Sequence, residues 1–450
     1  MSTGPAETGM GTERGTDAGT EDVATTATAA PAPAPATAVD ADADEQSARN
    51  DRAELRRGLL YCLLVFVSLR VVLSVAALVA TALLPNAAGI PDAARSAAGI
   101  PGPVSVPGWA AHGITPGWHN LWTPFERFDA LWFLRIATGG YASGDGSAAF
   151  FPFYPWLIKV VTPLVGGHPV AAATLVSNLC FLGALMMLYV LGRTELGDTT
   201  ARRAVVYAAI FPTSFFFLAP YSESTFLLLA LVCLWAARRG RWEVAAAAGA
   251  GAALTRSIGI VLVIPLAVEA VQSWREAGRP GIPIRGLAWS LGPAAGTLLY
   301  LSYWQRKAGD WLAPLHQQAT WERTLTNPIA TLWHATQYAI DYTGVYAGGY
   351  HQLDWLVTVP TLALAGYAVW RLRPVYGTYV VASILPPLCL VFEARPLMSV
   401  PRFLVTVFPI FWGAALWTRD RPLRHDLYLV TSCLLLGVLL LLFADWYYVF

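Results

Sequence analysis

Residues 59–84 read LLYCLLVFVSLRVVLSVAALVATALL. A helix of about 20 apolar residues crosses the hydrocarbon of a bilayer, and this run is longer. It sets the fold class: an all-α polytopic membrane protein. Arg52, Arg56 and Arg57 precede the run. Basic residues beside a first span keep that end in the cytoplasm.

Further apolar runs follow at about 170–192, 204–218, 221–237, 243–254, 258–272, 287–304, 351–371, 374–392, 403–418 and 426–448. Arginine clusters fall at every second junction: Arg193, Arg202 and Arg203; then Arg238, Arg239 and Arg241; then Arg275, Arg279 and Arg285; then Arg371 and Arg373; then Arg419, Arg421 and Arg424. That alternation predicts about eleven transmembrane helices, with the N-terminus inside and the C-terminus outside. It holds only if FPFYPWLIKVVTPLV (152–166) is re-entrant or interfacial, as its length and prolines suggest. The short runs 243–254 and 258–272 read as a helix pair sheltered from lipid by neighbours.

Composition agrees. Of the 450 residues, 56% are apolar and 13% charged, against about 25% charged in ordinary globular chains. The first 50 residues hold nine acids and two bases, which leaves 20 acids and 28 bases beyond them. The body is therefore only mildly basic, and a nucleic-acid partner is not expected. Residues 1–57 read as a disordered cytoplasmic tail, with APAPAPA at 30–36, because nothing there can bury a core. An acidic start without an apolar segment is not a signal peptide. Residues 58–450 form the membrane domain. The five cysteines lie far apart in apolar runs and read as packing residues rather than a disulfide frame or a zinc site.

Two long outer segments follow from this map, 85–168 and 305–350. They carry Trp109, Trp118, Trp122, Trp132, Trp156, Trp311, Trp321 and Trp333, and Trp favours the membrane interface. No repeat and no matched halves are visible, which weighs against the duplicated architecture of many transporters.

Chemistry is sought where charge interrupts apolar sequence. Residues 122–138 (WTPFERFDALWFLRIAT) predict an amphipathic helix opened by Thr123 and Pro124. Phe125, Phe128, Trp132, Phe133 and Ile136 share a face with Asp129 at its centre, while Arg127 and Arg135 lie on other faces. A carboxylate there is costly unless it meets a partner or a polar cavity. Either an arginine holds it for structure, or it serves as a general base toward an acceptor hydroxyl.

FPTSFFFLAPYSES (211–224) puts Tyr221 and Glu223 at an outer hairpin. Glu223 either sits in a helix's first turn or faces the same cavity as Asp129. LTRS (254–257) and FEARPLMSVPRF (392–403) add Arg256, Glu393, Arg395 and Arg402 at the outer side. A guanidinium is planar, multi-donor and permanently charged, which suits a phosphate. Snorkelling, or an ion pair with Glu393, are the plainer readings. His316, His334 and His351 have no metal-ligand spacing. No P-loop, dinucleotide fingerprint or Gly-x-Ser-x-Gly turn occurs, and no cofactor is expected.

The pieces FDALWFLRIATGGY (128–141), AFFPFYP (149–155), FPTSFFFLAPYSES, ARRGR (237–241), ALTRSIG (253–259) and PRF (401–403) together resemble the PIG-V-like mannosyltransferases. The resemblance runs from about 120 to 275 and again near 395–412. It implies the glycosyltransferase C-type fold and a catalytic acid in the first outer loop, which maps onto Asp129. The family's Trp before that acid is Phe128 here, which keeps an aromatic wall without an indole N–H.

The expectation is thus a membrane mannosyltransferase. The resemblance implies a polyprenyl-phosphate mannose donor. The acceptor would be a lipid, glycan or protein hydroxyl at the outer face of the plasma membrane. Asp129 would be the base of an inverting displacement. Arg256, Arg402 and Arg395 would hold the donor phosphate, with Glu223, Phe128, Trp132 and Tyr221 as further substrate contacts and membrane lipids all round. A lipid-linked-sugar flippase or transporter is the alternative.

Overall fold

The computed structural model describes residues 38–83, 94, 105–110, 112, 117–319, 322–344, 349–447 and 449. The chain divides into two units, Met1–Arg52 and Ala53–Phe450. Helix α1 is Ala38–Leu83. The part of the expected tail before residue 38, and Trp321 in the second outer segment, lie outside the described residues. Residues 38–57, assigned to that tail, are helical. Ala, Glu and Arg are strong helix formers there.

Helices follow at α2 Asp129–Gly139, α3 Phe153–Val161, α4 Pro169–Leu196, α5 Asp198–Ala209, α6 Glu223–Arg238, α7 Trp242–Thr255 and α8 Val263–Glu276. The chain continues through α9 Ile284–Trp289, α10 Gly292–Ala308, α11 Ala313–Ala319, α12 Pro328–Asp341 and α13 Gly349–Arg371. The last are α14 Pro374–Cys389, α15 Val400–Leu404, α16 Pro409–Trp417 and α17 Pro422–Ala444. The fold is mostly helical and multi-pass.

Five stretches are long and apolar enough to cross a membrane by themselves: Arg49–Leu83, Pro169–Leu196, Ser257–Glu276, Gly349–Arg371 and Pro422–Ala444. The other expected spans are interrupted. Run 204–218 stops at Ala209, before Phe211 and Pro212, and resumes as a 3-10 turn over Ser214–Phe217. Run 287–304 is divided between α9 and α10, and run 403–418 between α15 and α16 at Pro409. Proline removes a backbone donor and clashes with the preceding turn. Broken backbone at membrane depth is tolerated where protein shelters it. The α1 face bearing Leu60, Leu64, Val71, Val72 and Val75 is exposed, as a lipid-facing stripe would be.

The expected shelter of α7 is realised, since it packs against α6 and α10. A Cβ on Gly292 or Gly296 of α10 would come within 2.5 Å of the Ala246 or Ala250 carbonyl oxygen of α7. Small residues allow this close approach of helix backbones.

The helix expected over 122–138 is broken. Thr123–Phe125 form a 3-10 turn, Phe128 adopts φ 51°, and α2 begins at Asp129. The acid is therefore at a helix N-terminus rather than in mid-helix. The expected apolar face survives, because Phe125, Phe128, Trp132, Phe133 and Ile136 are all buried. Of the outer-segment tryptophans, Trp118, Trp156, Trp311 and Trp333 are exposed, whereas Trp132 is buried.

A short antiparallel pair, β1 Arg323–Leu325 with β2 Leu390–Phe392, joins the second outer segment to the chain entering α15. Arg323 is paired with Phe392 and Leu325 with Leu390. Thr331 Oγ1 donates to the Leu388 carbonyl at 2.9 Å, which continues the anchorage.

Candidate active site

Four elements bring four charges together. Asp129 opens α2, Glu223 opens α6, Arg256 links α7 to a 3-10 turn, and Arg402 lies on α15. Each sits at a helix end, where apolar sequence is interrupted and backbone turns. Arg402 Nη1 donates to Asp129 Oδ2 at 2.5 Å, and its Nε donates to Glu223 Oε1. Arg256 Nη1 meets the same Glu223 Oε1 at 2.5 Å and lies 3.4 Å from Ser222 Oγ. The cluster holds two acids and two guanidinia.

Exposure separates the two acids. The Asp129 side chain is 23% accessible and Glu223 is fully buried. Asp129 is the more accessible of the two acids, and Glu223 pairs with both arginines. Glu223 Oε2 takes no hydrogen bond among the described residues. Aromatic rings wall the cations: Arg402 lies over Tyr221 (4.7 Å) and Phe216 (5.2 Å), and Arg256 over Phe403 (5.2 Å). Such contacts favour a guanidinium removed from water.

The structure thus joins Asp129, Glu223, Arg256, Arg402 and Tyr221. Phe128 and Trp132 belong to the aromatic packing of α2 instead. Phe128 meets Phe443 and Trp446, and Trp132 stacks on Phe150 at 5.4 Å. Arg395 is placed elsewhere. Its Nε and Nη2 grip the buried Asp354 at 2.6 and 2.9 Å, and its guanidinium lies over Tyr350. This fork replaces the expected pair with Glu393, whose carboxylate accepts from Thr324 Oγ1 at 3.2 Å. Asp354 could not be matched to Arg395 from spacing, because 41 residues separate them.

Arg127 was also missed. It is fully buried, donating from Nε to the Ala444 carbonyl (2.9 Å) and from Nη1 to those of Thr123 and Glu126 (3.0 Å each). Burial pushes its pKa down to about 10, with Glu126 and Asp445 opposing the shift. The guanidinium remains charged. Burial likewise pushes the Asp445 carboxyl up to about 6, with Arg127 pulling it back. Glu126, also buried, accepts from Trp109 Nε1 at 2.9 Å and faces His112 Nδ1 at 2.8 Å. The sequence signal for Arg127 was a charge inside an aromatic stretch.

Among the described residues no group of three His, Cys, Asp or Glu side chains converges as metal ligands. The donor set that does converge is guanidinium, which matches phosphate oxygens by charge and by planar, paired N–H geometry.

A model of the family described as mannosyltransferase (PIG-V) matches residues 63–277. The chain is a multi-pass membrane glycosyltransferase. The resemblance to the PIG-V-like mannosyltransferases read from the motifs is borne out over that stretch. No curated protein matches the chain. Among solved structures it is similar to ArnT from Cupriavidus metallidurans bound to undecaprenyl phosphate, at 16% identity and TM-score 0.40, covering 71% of this chain and 69% of that one. The apo state of the same protein gives 18% identity and TM-score 0.40, over 70% and 68%. The Archaeoglobus fulgidus oligosaccharyltransferase in complex with Zn and sulfate gives 12% and 0.34, over 67% and 45%.

Proposed function

We propose that the protein transfers mannose from a polyprenyl-phosphate donor to an acceptor hydroxyl at the outer face of the plasma membrane. The observation that carries this is the partly exposed Asp129 beside two buried guanidinia. Asp129 Oδ2 is held by Arg402, and Oδ1 accepts no hydrogen bond among the described residues.

The step is a direct displacement. The acceptor oxygen attacks the anomeric carbon, and its proton passes to the Asp129 carboxylate. The bond from the anomeric carbon to the phosphate oxygen breaks, and its electron pair leaves with polyprenyl phosphate. The configuration at that carbon inverts. Charge grows on the departing phosphate, where Arg402 and Arg256 meet it with donors already in place. A phosphate that engages Arg402 also competes with Asp129 for the guanidinium. That competition loosens the ion pair and frees the carboxylate for the acceptor proton as the donor seats.

The N-terminus lies in the cytoplasm on this reading, as the arginine alternation requires. The test is sugar transfer by purified protein given polyprenyl-phosphate mannose, with a nucleotide-linked mannose in a parallel reaction. Product from the lipid-linked donor alone is expected, with inverted anomeric configuration. Product from the nucleotide sugar alone would overturn the donor assignment.

A further inference from the structure

We propose that Arg127 is a positioning residue for Asp129: it locks the peptide leading into Asp129 onto the end of α17 and, through Tyr221, couples it to Arg402. The inference rests on the proposed role of Asp129 as the base.

The direction of the Asp129 side chain is set by the residues just before it. Arg127 fixes that stretch twice. Its side chain bonds the carbonyls of Thr123 and Glu126, closing the turn on itself, and bonds the Ala444 carbonyl at the end of α17. Its own carbonyl accepts from Tyr221 Oη at 2.9 Å. The Tyr221 ring lies 4.7 Å beneath the Arg402 guanidinium that holds Asp129. Arg127, Tyr221, Arg402 and Asp129 therefore form a closed circuit, with the backbone of 127–129 as one side.

The circuit contains stored strain. Phe128, between Arg127 and Asp129, has φ 51°, and Trp446 has φ 67°. Left-handed backbone in a bulky residue costs roughly 1–3 kcal/mol and persists only where surroundings over-determine it. The two strained residues pack on each other, with ring centroids 5.5 Å apart. The Arg127 guanidinium covers the Trp446 ring at 4.6 Å. Buried Asp445 supplies negative charge beside it. A planar five-donor cation is needed at this point, because it must serve three carbonyls and a ring together. Strain concentrated one residue before the proposed base is what pre-organisation of that base requires.

The test uses the full-length protein with polyprenyl-phosphate mannose as donor. It compares Tyr221→Phe, Arg127→Lys and Asp129→Asn for kcat, donor KM and thermal midpoint. Tyr221→Phe keeps the ring under Arg402 and removes the hydroxyl that donates to the Arg127 carbonyl. It is expected to fold normally, to lower kcat about tenfold and to leave donor KM within about twofold. Arg127→Lys should do the same or more where it folds, and Tyr221→Phe decides where it does not. A Tyr221→Phe enzyme with wild-type kcat overturns the inference alone, provided Asp129→Asn is inactive. An active Asp129→Asn enzyme overturns the base assignment and this inference with it.

Discussion

Arg402 grips Asp129 through Nη1 at 2.5 Å while its Nε holds Glu223. One guanidinium thus bridges acids that lie 273 and 179 residues away in the chain. Only Asp129 reaches solvent to any extent. Asp129→Asn keeps the size and a hydrogen-bonding oxygen but removes the charge that accepts a proton. General-base catalysis contributes about 10²- to 10⁴-fold. A kcat reduction in that range is expected, with the protein still folded, and single-turnover mannosyl transfer measures it.

Arg402→Lys separates charge from geometry. Lysine keeps the positive charge but cannot address two carboxylates from two fixed nitrogens. Turnover should fall by about tenfold or more, since the base and the phosphate contact shift together. Arg402→Ala leaves the buried Glu223 with Arg256 only, and removing one partner of a buried pair costs about 3–5 kcal/mol. Thermal unfolding of the detergent-purified variants should therefore rank wild type above Lys, and Lys above Ala.

Asp445 gives a pH signature. Its carboxyl is raised from 3.8 to about 6, chiefly by burial. The folded state binds the proton more tightly than the unfolded chain. Stability from this group is complete below the unfolded value and is lost as pH rises through about 6. Between pH 5 and pH 7.5 the loss is on the order of 1 kcal/mol. Asp445→Asn removes the titration, so its midpoint should fall less than that of wild type over the same interval. Parallel curves for the two proteins would show that Asp445 does not carry the dependence.

Arg395 predicts a contrast with Arg402. Its fork onto Asp354 is buried and lies outside the charge cluster. Arg395→Ala strands the Asp354 carboxylate and should cost about 3 kcal/mol or more. Turnover per folded molecule should stay within about twofold, because no contact to Asp129, Glu223 or Arg256 is lost. Active-site titration alongside thermal melting distinguishes the two effects.

The site was legible because charge is scarce. Asp129, Glu223, Arg256 and Arg402 each interrupt an apolar run at a turn, and burial makes such interruptions expensive unless they meet. Their pairing was not legible, since a guanidinium's choice among several acids is a tertiary matter. Arg395 shows this: Glu393 is the nearby acid two residues away, and Asp354 on α13 is the partner. A helix continuous across Phe128 puts Arg127 on a different face from Asp129, and the break at Phe128 undoes that. A left-handed phenylalanine has no local signature, so neither the break nor the clamp around it could be foreseen. The apolar runs located the helices well. The prolines at 212 and 409 then divided two of them where the apolar pattern alone predicted single spans.

Gly259 tests how the fold delivers Arg256 to the cluster. Three residues after Arg256, the chain doubles back against α7. The Gly259 N–H donates to the Arg256 carbonyl at 2.9 Å. A Cβ at Gly259 would lie 2.4 Å from Ala253 Cα and 2.5 Å from Ala253 N. Those are backbone atoms of α7, so no side chain can rotate aside. Gly259→Ala must open the corner that carries Arg256, and overpacking of this kind costs roughly 1–3 kcal/mol. Moving Arg256 away from Glu223 Oε1 weakens one of the two cations expected at the donor phosphate. The variant should therefore raise donor KM several-fold as well as lower the thermal midpoint. Ala253→Gly in the same chain removes no backbone atom from the clash and should not restore either value. A Gly259→Ala enzyme with unchanged midpoint and donor KM would mean that the corner yields without displacing Arg256.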